Sequence, residues 1–244
     1  MGMLFFGSYV GPAGSMRKAK ALTSPAHPNI VFILADDMRK DDLKYMPKTR
    51  ALLQRSGMTF QNAFVSNALC CPSRATIMRG QYSHNNGVWS NSSVDSTSTT
   101  SGGWQAYKQN GNEADNVATR LQGAGYRTGL FGKYLNRYDG STTPAGWNRW
   151  FGGVMTGDEY YNYDVNDQGT LTHYGSSESD YSTDVISRQA DAFIANNVSQ
   201  RTPFFAYVAP IAPHLPSTYP PPPPHATPTT TTASRARACP PSTR

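Results

Sequence analysis

The chain is short of cysteine, of charge and of long apolar runs, and each shortage removes a class of protein. Its 244 residues include three cysteines. Cys70 and Cys71 are adjacent, which strains any bond between them, and Cys239 lies near the end, so no disulfide framework is expected. No apolar stretch approaches the ~18–20 residues that cross a bilayer, so no membrane span is expected. Charged residues make up 16% against 38% hydrophobic, the balance of a globular chain. The net charge of +6 invites a nucleic-acid partner, but its placement argues against one. Of the 22 basic residues, Arg17, Lys18 and Lys20 precede the first apolar segment, and Arg235, Arg237 and Arg244 close the chain. The sixteen that remain match the 16 acidic residues, leaving the body no surplus for counterion release.

A convincing signal peptide is also lacking. Met3-Leu4-Phe5-Phe6 is apolar, but Arg17-Lys18 follow it, whereas a secretory leader places its positive residues first. Residues 1–25 are read as a disordered leader, either a damaged one or the product of a misplaced start. Asn91-Ser92-Ser93 and Asn197-Val198-Ser199 fit the N-glycosylation pattern, which arises often by chance.

What is present is an alternation of strands and helices. Asn29 to Ala35 is a continuous β-branched and apolar run ending in Asp36-Asp37, as for a strand buried on both faces of a mostly parallel sheet. Met46 to Ser56 reads as a helix closed by Gly57, Thr59 to Val65 as a short strand, and Ser73 to Met78 as a helix starting immediately after Pro72. Residues 90–112, rich in Ser, Thr, Gly and Asn, read as a long surface loop. A helix over Glu113–Ala124 leads to a strand over Arg127–Phe131. Residues 139–178 read as loops with small strands. A helix over Ser182–Asn197 precedes a strand over Phe204–Ala209. This order predicts an α/β fold, a mostly parallel sheet flanked by helices, with ligands beyond the strands' carboxyl ends. Asp36, Lys133 and His214 all follow such strands. Beyond Pro216 a proline run, Pro220 to Pro224, and a Thr-rich stretch remove backbone donors and periodicity, so 217–244 reads as a disordered tail. A shifted reading frame or premature end is expected there.

Singly, each candidate residue has an ordinary reading. Asp36-Asp37 could be a charged turn, although two carboxylates at a strand end also offer hard oxygens to a divalent cation. Asp41 and Asp42 read as a solvated helix start. Cys70 could be a small buried hydrophobe, Arg74 and Lys133 surface charges, and His214 part of a proline-rich turn. Cys70-Cys71-Pro72-Ser73-Arg74 together resemble the sulfatase signature Cys-x-Pro-Ser-Arg. Pro28–Asp37 resembles the sulfatase opening strand with its metal-binding aspartates, and Gly132-Lys133-Tyr134-Leu135-Asn136 the family's lysine segment. Phe204–Pro216 resembles the strand that delivers an active-site histidine. Gly146-Trp147-Asn148-Arg149-Trp150, the double cysteine and Lys-Tyr-Leu-Asn are similar to the N-acetylglucosamine-6-sulfatase branch.

The resemblance covers residues 26–216 and implies an incomplete N-terminal part of an alkaline-phosphatase-like sulfatase catalytic domain, truncated at its C-terminus. It implies that Cys70 is oxidised to formylglycine by a formylglycine-generating enzyme. Ca²⁺ or Mg²⁺ would be held by Asp36, Asp37 and position 70, and Arg74, Lys133 and His214 would act on a sulfated carbohydrate or aryl sulfate. One hydroxyl of the hydrated aldehyde attacks sulfur, and collapse of the other ejects sulfate. Leu135 stands where many sulfatases have histidine, so the base for ejection is unassigned, with His84 a candidate contact. The family's later Asp-Asn or Asp-His metal pair and second lysine do not appear after His214. Secretion, a periplasm or a lysosome is implied as the compartment. Two other functions fit the same residues: a phosphonate or phosphate monoester hydrolase, and a non-catalytic remnant that binds anions or carbohydrate.

Overall fold

The structure, a computed structural model, describes residues 27–92, 101–154 and 160–215. The leader over 1–25 and the tail over 217–244 lie outside these residues. Strands β1 (Ile30–Ile33), β2 (Arg127–Lys133), β3 (Arg149–Val154), β4 (Tyr163–Asp167), β5 (Thr170–Tyr174) and β6 (Phe204–Ala209) form one sheet in the order β1-β6-β2-β3-β4-β5. The pairs β1/β6, β6/β2 and β2/β3 are parallel, and β3/β4 and β4/β5 are antiparallel. The helices are α1 (Pro47–Thr49, continued by a π turn over Arg50–Gln54), α2 (Cys70–Arg79), α3 (Ser83–Asn86), α4 (Gly103–Gln109), α5 (Val117–Gly123) and α6 (Ser182–Ser199).

Strand periodicity divides the core. Successive side chains point to opposite faces, so Leu130, Trp150, Phe205 and Tyr207 pack with Cys71, Ala75, Trp104 and Ala118 from α2, α4 and α5. Their neighbours Phe131, Phe151, Phe204 and Ala206 pack against Val185, Ile186, Ala190 and Phe193 of α6. The motif Gly146–Trp150 serves this packing. Trp147 lies 6.1 Å from Phe205 and from Trp150 by ring centroid, while Asn148 accepts the Thr128 N–H at 2.9 Å, so the segment ties β3 to β2.

Three local expectations are corrected. β1 is not buried on both faces: Ile30 and Phe32 pack on the α2 side, but Val31 and Ile33 are 46% and 59% exposed, because α6 covers the middle of the sheet and not this edge. Thr59–Val65 forms no strand, and Phe60, Phe64 and Val65 point outward without a partner strand to hold them. The stretch 90–112 is no simple loop, since it contains α4 with Trp104, Ala106 and Tyr107 buried. The region read as loops with small strands holds β3, β4 and β5, of which β3 is a parallel member of the sheet. Among the described residues no helix is long and apolar enough to cross a membrane.

Candidate active site

Three adjacent strands, β1, β6 and β2, deliver the candidate groups from their carboxyl ends. Asp36 lies three residues beyond β1, Lys133 is the last residue of β2, and His214 lies five residues beyond β6. β2 runs two residues further than expected. Lys133 is turned inward by Gly132, whose φ of +103° suits glycine and whose added Cβ would stand 2.2 Å from the Ala209 carbonyl oxygen. Lys133 is therefore 1% exposed, not a surface lysine.

α2 supplies the fourth side. It starts at Cys70 rather than after Pro72, so the proline sits in the first turn, where its missing N–H costs nothing. Arg74, one turn on, is buried and donates from Nη2 to Asp36 Oδ1 at 3.1 Å and from Nη1 to the Lys133 carbonyl at 2.9 Å. Lys133 Nζ donates to the other Asp36 oxygen, Oδ2. One carboxylate thus bridges two buried cations. Burial pushes the Asp36 carboxyl up, but Arg74 and Lys133 more than offset it and leave it below the ordinary carboxylate range.

Asp37 faces outward from the same strand end. Its φ of 54° is a left-handed conformation seldom adopted by residues other than glycine, Asn and Asp, and it aims the carboxylate away from its neighbour. The Cys70 thiol lies 3.9 Å from Asp37 Oδ1, and His214 Nε2 lies 3.6 Å from Asp37 Oδ2. Nδ1 of His214 is 2.6 Å from the Leu215 carbonyl, which assigns its proton there and leaves Nε2 toward Asp37. The Tyr160 hydroxyl donates to the His214 carbonyl at 2.6 Å and anchors that segment.

Ligand atoms of Asp36, Cys70 and His214 all lie within 4.8 Å of one another. A cavity of about 300 Å³ opens onto Asp36, Asp37, Cys70 and Arg74. Clefts of about 480 and 500 Å³ occur elsewhere and contain none of these groups. Each carboxylate oxygen has two lone-pair directions, so Asp36 retains acceptor capacity beside its two cations. The cluster offers a carboxylate oxygen, the sulfur of Cys70 and an imidazole nitrogen, with the Asp37 carboxylate beside it, which is a donor set able to take a divalent cation.

The two cysteines differ in kind. Burial pushes the half-buried Cys70 thiol up, with Asp36 and Asp37 adding to the effect and Lys133 and Arg74 opposing it. Burial raises the fully buried Cys71 to about 12. Neither is a ready thiolate, so an unmodified thiol is a poor nucleophile here. Leu135 is a buried core residue and offers no polar group to the site. His84 is exposed on α3, stacked on Tyr82 at 5.8 Å and apart from the cluster. Asp41 and Asp42 lie on a solvated 3-10 turn, as the sequence suggests. Asn197, first residue of the second glycosylation triplet, is buried and donates its Nδ2 to the Phe193 carbonyl, so the folded chain does not offer it to a glycan.

The chain has known relatives. A family model described as Sulfatase matches residues 28–239. The extracellular sulfatase SULF-1 homolog of Drosophila melanogaster is 39% identical over 199 residues, which are 80% of this chain and 17% of that protein. The N-acetylglucosamine-6-sulfatase of Capra hircus is 35% identical over 218 residues, 85% of this chain and 38% of that protein. The chain therefore spans well under half the length of these relatives. A protein solved with its substrate D-glucosamine-2-N,6-O-disulfate superposes with a TM-score of 0.53 at 26% identity, over 77% of this chain and 35% of that one. A Bacteroides fragilis protein shares the fold alone, with a TM-score of 0.56 at 19% identity over 80% of this chain and 46% of that one. On the signature at Cys70, the arrangement around it and the extent of the family match, the chain belongs to the sulfatase family.

Proposed function

We propose that this chain carries the nucleophile side of a sulfuric ester hydrolase acting on sulfated sugars. The observation that carries the reading is the convergence of position 70, Asp36, Asp37, Arg74, Lys133 and His214 at the ends of three neighbouring strands. Cys70 would be matured to formylglycine, whose hydrate supplies the attacking hydroxyl and, by returning to the aldehyde, a way for sulfate to leave. Position 70 is suited to that change, since its thiol is accessible and held protonated while Cys71 is sealed in the core.

The chain's own residues then divide the work. Lys133 has three donors, one of them on Asp36. The others can neutralise sulfate oxygens in a setting where charge is poorly screened. Arg74 fixes Asp36 and the Lys133 backbone together, so the carboxylate cannot swing when substrate arrives. His214, oriented by Leu215 and facing Asp37, can hold a proton on Nε2 for the departing alkoxide. A Ca²⁺ or Mg²⁺ ion on Asp36, Asp37 and position 70 would polarise the S–O bond under attack. These two carboxylates are fewer than the six to eight oxygens that Ca²⁺ takes. Water and the sulfate group would supply others.

Support for a sugar substrate comes from the relatives' names and from the glucosamine disulfate in the solved neighbour. Extracellular relatives support an exported compartment. The test is release of inorganic sulfate from glucosamine 6-sulfate by purified, formylglycine-matured chain, beside an aryl sulfate and a phosphate monoester. Sulfate release that is lost in Cys70→Ala is expected. Turnover confined to the phosphate ester would reassign the reaction, and none on any ester would leave a non-catalytic family member.

A further inference from the structure

The segment 88–92, which leads into the stretch read as a surface loop over 90–112, reaches the first turn of the helix that carries Cys70. Asn91 Oδ1 accepts the Cys71 N–H at 2.8 Å. That turn is poorly provided otherwise. Its N-cap is Leu69, which has no side chain to cap with, and Pro72 has no N–H. Asn91 thus supplies from twenty residues away the acceptor that a Ser or Asp N-cap would give locally.

The loop is braced to do this. Trp89 N–H donates to Ser101 at 2.7 Å, Gly103 N–H to Ser90 at 2.9 Å, and the Ser90 hydroxyl to the Ser92 carbonyl at 2.9 Å. Gly102 and Gly103 permit the approach. A Cβ on Gly102 would stand 2.1 Å from Ser90 Oγ, and Gly103 has φ +66° with the Asn91 carbonyl 3.2 Å from its would-be Cβ. The Cys71 side chain is fully buried in the core cluster that includes Trp104 and Ala106 of α4, so residue 71 is held at its N–H and packed at its side chain. Position 70 is fixed because its neighbour is.

We infer that Asn91 is a positioning residue for the nucleophile at position 70, acting through the Cys71 amide. The inference deepens the proposed sulfatase reading and rests on it for its purpose, but its test uses neither turnover nor oxidation of Cys70. In protein produced with Cys70 as the thiol, hydrogen exchange at the Cys71 amide should be protected like the helix interior. Free exchange there in the wild type would overturn the inference whatever the variants do. Asn91→Ala should speed that exchange by about fivefold or more, the usual effect of losing a helix cap. It should raise the rate of Cys70 alkylation by iodoacetamide, read by peptide mapping, to a similar degree. Asn91→Asp, which keeps the acceptor, should return both toward wild type. Asn116→Ala removes the N-cap of α5, where Asn116 Oδ1 accepts the Ala118 N–H, and serves as the stability control. It should lower the melting temperature yet leave Cys71 exchange and Cys70 alkylation unchanged. Equal changes in Asn91→Ala and Asn116→Ala would show a merely structural role and refute the assignment.

Discussion

Replacing Asp36 with alanine removes the carboxylate that Arg74 and Lys133 share inside the protein. The side chains of all three are at most 5% exposed, so the two cations would be left facing each other with little water to screen them. Removing one partner of a buried ion pair costs about 3–5 kcal/mol, and here two partners are stranded. For a chain of this size that is roughly a 6–20 °C fall in melting temperature. Lys133→Met gives the contrasting case. It removes one cation, leaves Arg74 on Asp36 and fills a similar volume, so its cost should be smaller, about 1–3 kcal/mol for the buried carboxylate oxygen left without its partner. Thermal and urea unfolding of both variants in a metal chelator would read the difference without interference from bound cations. Acid adds a second signature. The folded carboxyl lies below its ordinary value of 3.8, so its contribution is full above that pH and is lost as pH falls through the lower folded-state value. The wild type should therefore lose more stability than Asp36→Asn below about pH 4. An Asp36→Ala protein no less stable than Lys133→Met would refute the bridging carboxylate.

Two further predictions concern the elements that hold the site. Gly132→Ala would press a Cβ to 2.2 Å from the Ala209 carbonyl at a φ of +103°, so a loss of about 2–4 kcal/mol is expected, measurable as a lower urea midpoint. In the folded, unoxidised protein Cys70 should react with iodoacetamide while Cys71, buried and raised to about 12, stays intact until the chain is unfolded. Peptide mapping would separate the two, and equal labelling would contradict the packing of α2.

The groups that were legible in the sequence share a physical reason. Strands of a parallel sheet read as unbroken apolar runs, even β1 at the edge, and the polar residues that follow them stand out: Asp36 after Ile30–Ile33 and His214 after Phe204–Ala209. Lys133 was located by its motif, although burial inside β2 could not be read from a lysine's character. What was hidden depended on partners distant in sequence. α4 carries Trp104 and Tyr107 into the core, but its flanks of Ser, Thr, Gly and Asn resemble a loop. Asn91 looked like a glycosylation triplet because its hydrogen bond to Cys71 exists only in three dimensions. Small strands are expected within 139–178, but the bounds of β3 are not, because Gly152-Gly153 break the apolar pattern that Trp150-Phe151 begin. Conversely, Thr59–Val65 has a strand's composition without a neighbour to pair with, and composition alone cannot supply one.

The central claim is that position 70 is the nucleophile precursor of a sulfatase. It is tested most directly by the mass of the tryptic peptide spanning Ser56–Arg74, from protein made in a host with formylglycine-generating activity. The account predicts a peptide in which Cys70 has exchanged H₂S for oxygen, with Cys71 unchanged. An unmodified Cys70, beside a known sulfatase fully converted in the same cells, would contradict it.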